Sequence, residues 1–338
     1  MAIPLSVLDL APIGSGYTAS RALQNSMELA RLADSLGYTR YWFAEHHGMP
    51  SIASSSPEIL IGLAAAATAR IRVGSGGIML PNHVPLRVAE SFHTLEALNP
   101  GRIDLGIGRA PGSNPITSSA LRPFPAEKFA EQLAELVSLS RGDFPPDHPF
   151  HAVRVVPSDV PLPPVWLLGS SGASARLAGS LGMGYSFARH FSLSPPAPAI
   201  EAYRESFQPS AHFPAPHIIL GLSVVCAETD EEARYLAASA DLMRLRLQHN
   251  EFLPIPTPDE ALAYPYTERD RAMLDGYRDL LAVGTPAMVR RRIEEEIETT
   301  GASEAMISTI VHDPAKRVKS YELLAAEFDL PRAPSPTS

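Results

Sequence analysis

Apolar segments of strand length alternate with helical patterns almost from end to end of this 338-residue sequence, and that rhythm restricts the chain to parallel α/β architectures. Strands are expected near residues 3–10, 39–45, 71–79, 102–108, 164–169, 183–188, 217–226 and 304–311. Eight strand–helix units favour a closed (β/α)8 TIM barrel, although a doubly wound open sheet also accommodates eight strands. The helices have legible ends. Leu23, Met27, Ala30, Ala33 and Leu36 share one face of the first, and Gly37 stands where a left-handed C-terminal residue belongs. Ser56-Pro57-Glu58 reads as an N-cap, a first-turn proline and an acid favoured by the helix dipole. Thr285-Pro286 repeats the device, and Gly301 ends the helix it opens.

Two stretches interrupt the rhythm. Residues 142–164 hold seven prolines, too many for a long helix, and read as an extended surface loop with Pro-rich character. Residues 249–267, with Pro254, Pro256, Pro258 and Pro265, form a second excursion and a candidate lid. A single domain is expected over 1–330, followed by a flexible tail over 331–338.

Composition removes several classes of function. A net charge of −9 with acids and bases intermixed provides no basic stripe for nucleic acid. No secretory segment and no apolar run of about 18 residues is present, so no membrane association is expected. One cysteine, Cys226, excludes an intrachain disulfide and a multi-thiolate zinc site and fits the cytoplasm.

Barrel enzymes place reactive groups at the C-terminal ends of their strands, where the loops converge on one mouth. There the second strand ends in Glu45-His46-His47, the third in Gly74-Ser75-Gly76-Gly77, the fourth in Gly108-Arg109 and the fifth in Gly169-Ser170. The fifth strand runs through Ser170, Ser171, Gly172 and Ser174 into a helix, so backbone N–H groups and hydroxyls face whatever lies at that helix start. Arg109 on the adjacent strand adds a positive fork, and together they suit a phosphate. The plainer alternative is a set of tight turns, with Arg109 paired to an acid. Glycines inside a buried strand imply that something approaches the backbone closely, either a bulge or a flat ligand. His46 and His47 are adjacent on a strand and point to opposite faces, which disfavours one shared metal. Glu45, His46, His47, His83 and His93 are the residues a barrel metallohydrolase would use, but Arg109 and the serines occupy the strand ends where further cation ligands belong, so no metal is expected.

The motifs Tyr41-Trp42-Phe43-Ala44-Glu45-His46-His47, Val73-Gly74-Ser75-Gly76-Gly77, Gly101-Arg102-Ile103-Asp104-Leu105-Gly106-Ile107-Gly108-Arg109, Val165-Trp166-Leu167-Leu168-Gly169-Ser170-Ser171 and Val283-Gly284-Thr285-Pro286 occur in this order along nearly the whole chain. In that order they resemble the bacterial-luciferase-like flavin monooxygenases. The resemblance implies a TIM barrel that binds FMN without a covalent link, as a homodimer. It places Arg109, Ser170, Ser171, Gly172 and Ser174 around the FMN phosphate. It places Gly76 and Gly77 under the isoalloxazine ring, where family members carry a non-proline cis peptide. His46 matches the family's active-site histidine, and Glu45 would orient its neighbours, its plainer role being a buried salt bridge. Where luciferase has a cysteine and a glutamate this chain has Gly108 and Ser170, so light emission is not implied.

The implied reaction passes one oxygen atom from O2 to a small organic substrate through a flavin hydroperoxide, with electrons from NAD(P)H or a partner flavin reductase. Two alternatives stand beside it: hydride transfer with a deazaflavin cofactor, and flavin binding without catalysis.

Overall fold

The computed structural model describes residues 3–332. Ten strands, all paired in parallel, are β1 (Leu5–Asp9), β2 (Arg40–Phe43), β3 (Arg72–Ser75), β4 (Ile78–Met79), β5 (Ile103–Gly108), β6 (Val165–Gly169), β7 (Gly184–Phe187), β8 (Ile218–Cys226), β9 (Leu281–Gly284) and β10 (Glu304–Ser308). Neighbours follow the order β1-β2-β3-β5-β6-β7-β8-β10, and β10 pairs back to β1, which closes an eight-stranded (β/α)8 barrel. The helices are α1 (Ala19–Leu36), α2 (Pro57–Ala67), α3 (Pro85–Leu98), α4 (Pro115–Leu121), α5 (Phe129–Arg141) and α6 (Gly172–Ser180). They continue as α7 (Ala197–Ser206), α8 (Asp230–Gln248), α9 (Pro258–Ala263), α10 (Glu268–Arg278), α11 (Pro286–Thr300) and α12 (Pro314–Glu327).

Side-chain alternation along the strands builds two cores. Leu5, Val7, Tyr41, Phe43, Ile103, Leu105 and Ile107 point outward and are buried under the helices. Leu8, Trp42, Ala44, Trp166, Ile219 and Met306 point inward, joined by Phe213 from the segment before β8, and they fill the barrel. The edge of Trp166 meets Trp42 at 5.6 Å and Phe213 at 4.9 Å, so the middle of the barrel is packed rather than open.

Below that plug the inward positions are charged. Arg40 donates to Asp104 at 2.8 Å and to Glu304 at 3.0 Å, Arg72 reaches Asp104 at 2.6 Å, and Trp42 Nε1 donates to Asp104 at 3.1 Å. Burial alone would raise the Asp104 pKa, and the two guanidinium groups outweigh it and hold the carboxyl below its ordinary range. A closed ion network of this kind seals the barrel floor and leaves the opposite end for chemistry.

The structure departs from the sequence expectations in three places. The expected third strand breaks into β3 and β4, with a cis peptide between Gly76 and Gly77 at the break. What comes close to these glycines is the protein itself: a Cβ on Gly77 would lie 2.8 Å from the Gly106 carbonyl oxygen, and one on Gly74 2.5 Å from that of Asp104. Strand β9 was not anticipated; it lies outside the ring against the end of β8, too short between two helices to show a period. The excursion at 249–267 is tied down, because Ile255 is buried, donates to the Ile13 carbonyl at 2.9 Å and accepts from Ser15 N–H at 2.8 Å. Residues 142–164 carry neither helix nor strand, as expected. Most of the expected tail, residues 333–338, lies outside the described residues, while Pro331 packs against Gly37. Among the described residues no helix is long and apolar enough to cross a membrane.

Candidate active site at the barrel mouth

Two residues past β2, Glu45 is fully buried, and its carboxylate gathers four groups. It accepts from Met79 N–H at 2.8 Å, from Asn82 Nδ2 at 3.2 Å, and bonds the Nε2 atoms of His47 at 2.8 Å and His83 at 2.9 Å. Burial opposes its charge, and the bonds from His83, His47 and the Met79 amide overcome that opposition, so its pKa stays below the ordinary carboxylate value. Burial likewise opposes charge on His83, and Glu45 raises its pKa in return. Glu45 thus ties the end of β2 to the segment that follows the β3–β4 break.

His46 points the other way, as alternation along an extended chain requires. Burial pushes its pKa down to about 4, Glu45 opposes that shift and His47 adds to it, so the imidazole is neutral at pH 7. Its Nδ1 is buried with no hydrogen-bond partner. His190, three residues past β7, shares both properties: burial lowers its pKa to about 4, the Gly221 backbone opposes that shift, Arg244 and then His46 add to it, and its Nδ1 also lacks a hydrogen-bond partner. Its ring lies against Gly221 of β8, where any Cβ would come within 2.7 Å of Nδ1. Two neutral imidazoles therefore stand within electrostatic range of one another.

Strands β5 and β6 are paired through Ile107 and Leu167, so Arg109 and Gly169, each two residues further on, leave the barrel side by side. Arg109 is exposed and makes no ion pair or side-chain hydrogen bond among the described residues, which removes the plain alternative of an acid partner. Ser171 caps α6, accepting from Ser174 N–H at 3.4 Å, while Ser174 Oγ donates to the Ser171 carbonyl at 2.9 Å. The Tyr185 hydroxyl donates to the Gly169 carbonyl at 3.3 Å and fixes the turn. Sequence reasoning missed Arg176, one helical turn into α6, whose guanidinium would lie 3.6 Å from a Cβ on Gly172 and which also lacks an acid partner among the described residues. A helix N-terminus, three hydroxyls and two unpaired guanidinium groups form a donor set suited to the phosphate of a cofactor.

The structure brings Ser170, Ser171, Gly172 and Ser174 together with Arg109, and Glu45 and His46 to the neighbouring side of the mouth. Phe187 packs under the helices, and Phe191 is largely exposed with its ring edge-on to His190.

A family model described as luciferase-like monooxygenase matches residues 3–304. A luciferase-like monooxygenase of Escherichia coli is 40% identical over 324 residues, covering 95% of this chain and 96% of that protein. The N-acetyl-S-alkylcysteine monooxygenase of Bacillus subtilis is 35% identical over 329 residues, covering 96% and 97%. The crystal structure of apo-MsnO8 superposes with a TM-score of 0.88 at 39% identity, over 98% of this chain and all of the other. With the barrel, the strand-end motifs and these matches in agreement, the chain belongs to the luciferase-like monooxygenase family.

Proposed function

We propose that the barrel mouth binds FMN and that the protein is a monooxygenase, inserting one atom of O2 into a small organic substrate at the expense of NAD(P)H, used directly or through a partner flavin reductase. The observation that carries this reading is the meeting of unpaired Arg109 with the Ser170–Ser174 helix start on neighbouring strands, at the same barrel mouth as two imidazoles whose Nδ1 atoms are buried without partners. The family supports a flavin, and the relative named N-acetyl-S-alkylcysteine monooxygenase supports a small organic substrate.

Bound reduced flavin would supply the oxygen activation. The remaining work falls to the chain. Arg109, Arg176 and the first turn of α6 would grip the phosphate, and Ser170, Ser171 and Ser174 would donate to its oxygens. The backbone at Gly76 and Gly77 would support the ring. His46, neutral and shielded from water, would accept or donate a proton through Nδ1 at the reacting face, and Glu45 would fix the chain that carries it.

Arg109→Ala should weaken FMN binding about ten- to a hundred-fold, the worth of a charge-assisted hydrogen bond, and leave the fold intact. Titration of oxidised and reduced FMN by flavin fluorescence tests this. Unchanged affinity would remove Arg109 from the phosphate site. Reduced deazaflavin titrated in parallel should bind more weakly than reduced FMN, and the reverse order would turn the assignment to hydride transfer.

A homodimer belongs to this reading. Ile59 and Leu63 on α2, Leu98 at the end of α3 and Val156 beside them are each more than half exposed. Ile59 and Val156 line a groove of about 480 Å³ between α2 and α3 together with Glu58, Arg87 and Glu90, and exposed apolar side chains beside charged ones suit a second copy.

A further inference from the structure

Helix α8 carries three arginines. Arg234 holds Asp230 at 2.8 Å and Arg246 holds Glu260 at 2.6 Å. Arg244 has no carboxylate within ion-pairing distance among the described residues. Its side chain is half-buried, its guanidinium lies 4.7 Å over the Tyr277 ring, and Nη2 comes within 3.5 Å of the His190 carbonyl. Burial pulls the Arg244 pKa down, with Tyr277 and Asp241 acting against that, a cost that an exposed or paired arginine would not incur. The same carbonyl of His190 accepts from Ser223 of β8, an inward-facing residue, so Arg244 reaches the rim of the mouth beside His190.

We propose that Arg244 forms a subsite for the carboxylate of an acidic substrate. An ionised carboxylate is acceptor-only and matches the planar guanidinium fork, and its single negative charge balances the single buried cation. A neutral substrate would leave the half-buried Arg244 without a counter-charge. A phosphate dianion would bring one charge too many. The subsite lies towards β7 and β8, whereas the proposed FMN phosphate site lies at β5 and β6. It rests on the monooxygenase reading only for what is done to the bound acid.

The test is calorimetric titration of the full-length protein, with and without saturating FMN, using N-acetyl-S-methylcysteine and its primary amide as probes. The acid should bind the wild type about ten- to a hundred-fold more tightly than the amide. Arg244→Met, which keeps the stem over Tyr277, should erase that preference while leaving FMN affinity and thermal unfolding unchanged, and Arg244→Lys should keep part of it. Equal binding of acid and amide, no binding of either, or an undiminished preference in Arg244→Met would overturn the proposal. Loss of FMN affinity in Arg244→Met would also overturn it, by assigning the residue to the cofactor. Failure of the wild type to bind FMN, with the acid preference intact, would sink the flavin reading and leave the subsite standing.

Discussion

His46 and His190 each hold a ring nitrogen out of water without a partner, and that makes them sensitive to acid. Their native pKa values of about 4 lie below the ordinary imidazole value near 6.5. Below pH 6.5 the unfolded chain takes up protons that the native state refuses, so stability falls as pH drops towards 4. Each ring should cost about 2 kcal/mol between pH 7 and pH 5. The raised pKa of His83 acts in the opposite sense over the same window, so the comparison must be between variants. Urea unfolding of His190→Gln at the two pH values should show a loss about 2 kcal/mol smaller than the wild type; an identical loss would show that His190 is not held neutral by the fold. Glu45, His46 and Arg109 were legible because strand-end position alone nominates them. Arg176 and Arg244 were not, since each comes from a helix whose rotation against the barrel no local spacing records. The partner of Glu45 was ambiguous for the same reason: His47 is near in sequence, whereas His83 arrives through the β3–β4 break.

At the scale of elements, the break between β3 and β4 explains why a strand reading was only half right. Arg72 to Ser75 and Ile78 to Met79 both pair in parallel with their neighbours, and Gly76 and Gly77 between them do not continue the ladder. The sequence signalled that glycines sat where a backbone must come close, but it did not say whose. The β5 backbone approaches Gly77 and the Leu8 and Trp42 side chains approach Gly76, so the glycines have a structural role that holds with no ligand bound. Gly77→Ala should therefore destabilise the flavin-free protein by about 1–3 kcal/mol, because its Cβ would press on the Gly106 backbone. Urea denaturation in the absence of flavin checks this, and a stability equal to the wild type's would show that the tight packing is not required. Eight strands were readable from apolar runs; β9 was not, being four residues whose neighbours in the sheet are fixed only once β8 is in place.

For the whole molecule, floor and mouth are held by different means. The floor network joins Arg40 to Glu304 across 264 residues of chain, a pairing that only barrel closure creates and no motif announces. The mouth keeps Arg109, Arg176 and Arg244 without a carboxylate partner among the described residues. On the outer surface, the exposed apolar side chains Ile59, Leu63 and Leu98 of α2 and α3 should bring two copies together. Sedimentation should show a dimer for the wild type at micromolar concentration and a monomer for the double variant Ile59→Asp with Leu63→Asp; a wild-type monomer would leave that face without its proposed partner. Affinity for FMN set against affinity for riboflavin, measured on the same wild-type preparation, isolates the phosphate. The strand-end site at Arg109 and α6 predicts that FMN binds at least about ten-fold more tightly. Equal affinity for the two would mean that this site does not hold the phosphate.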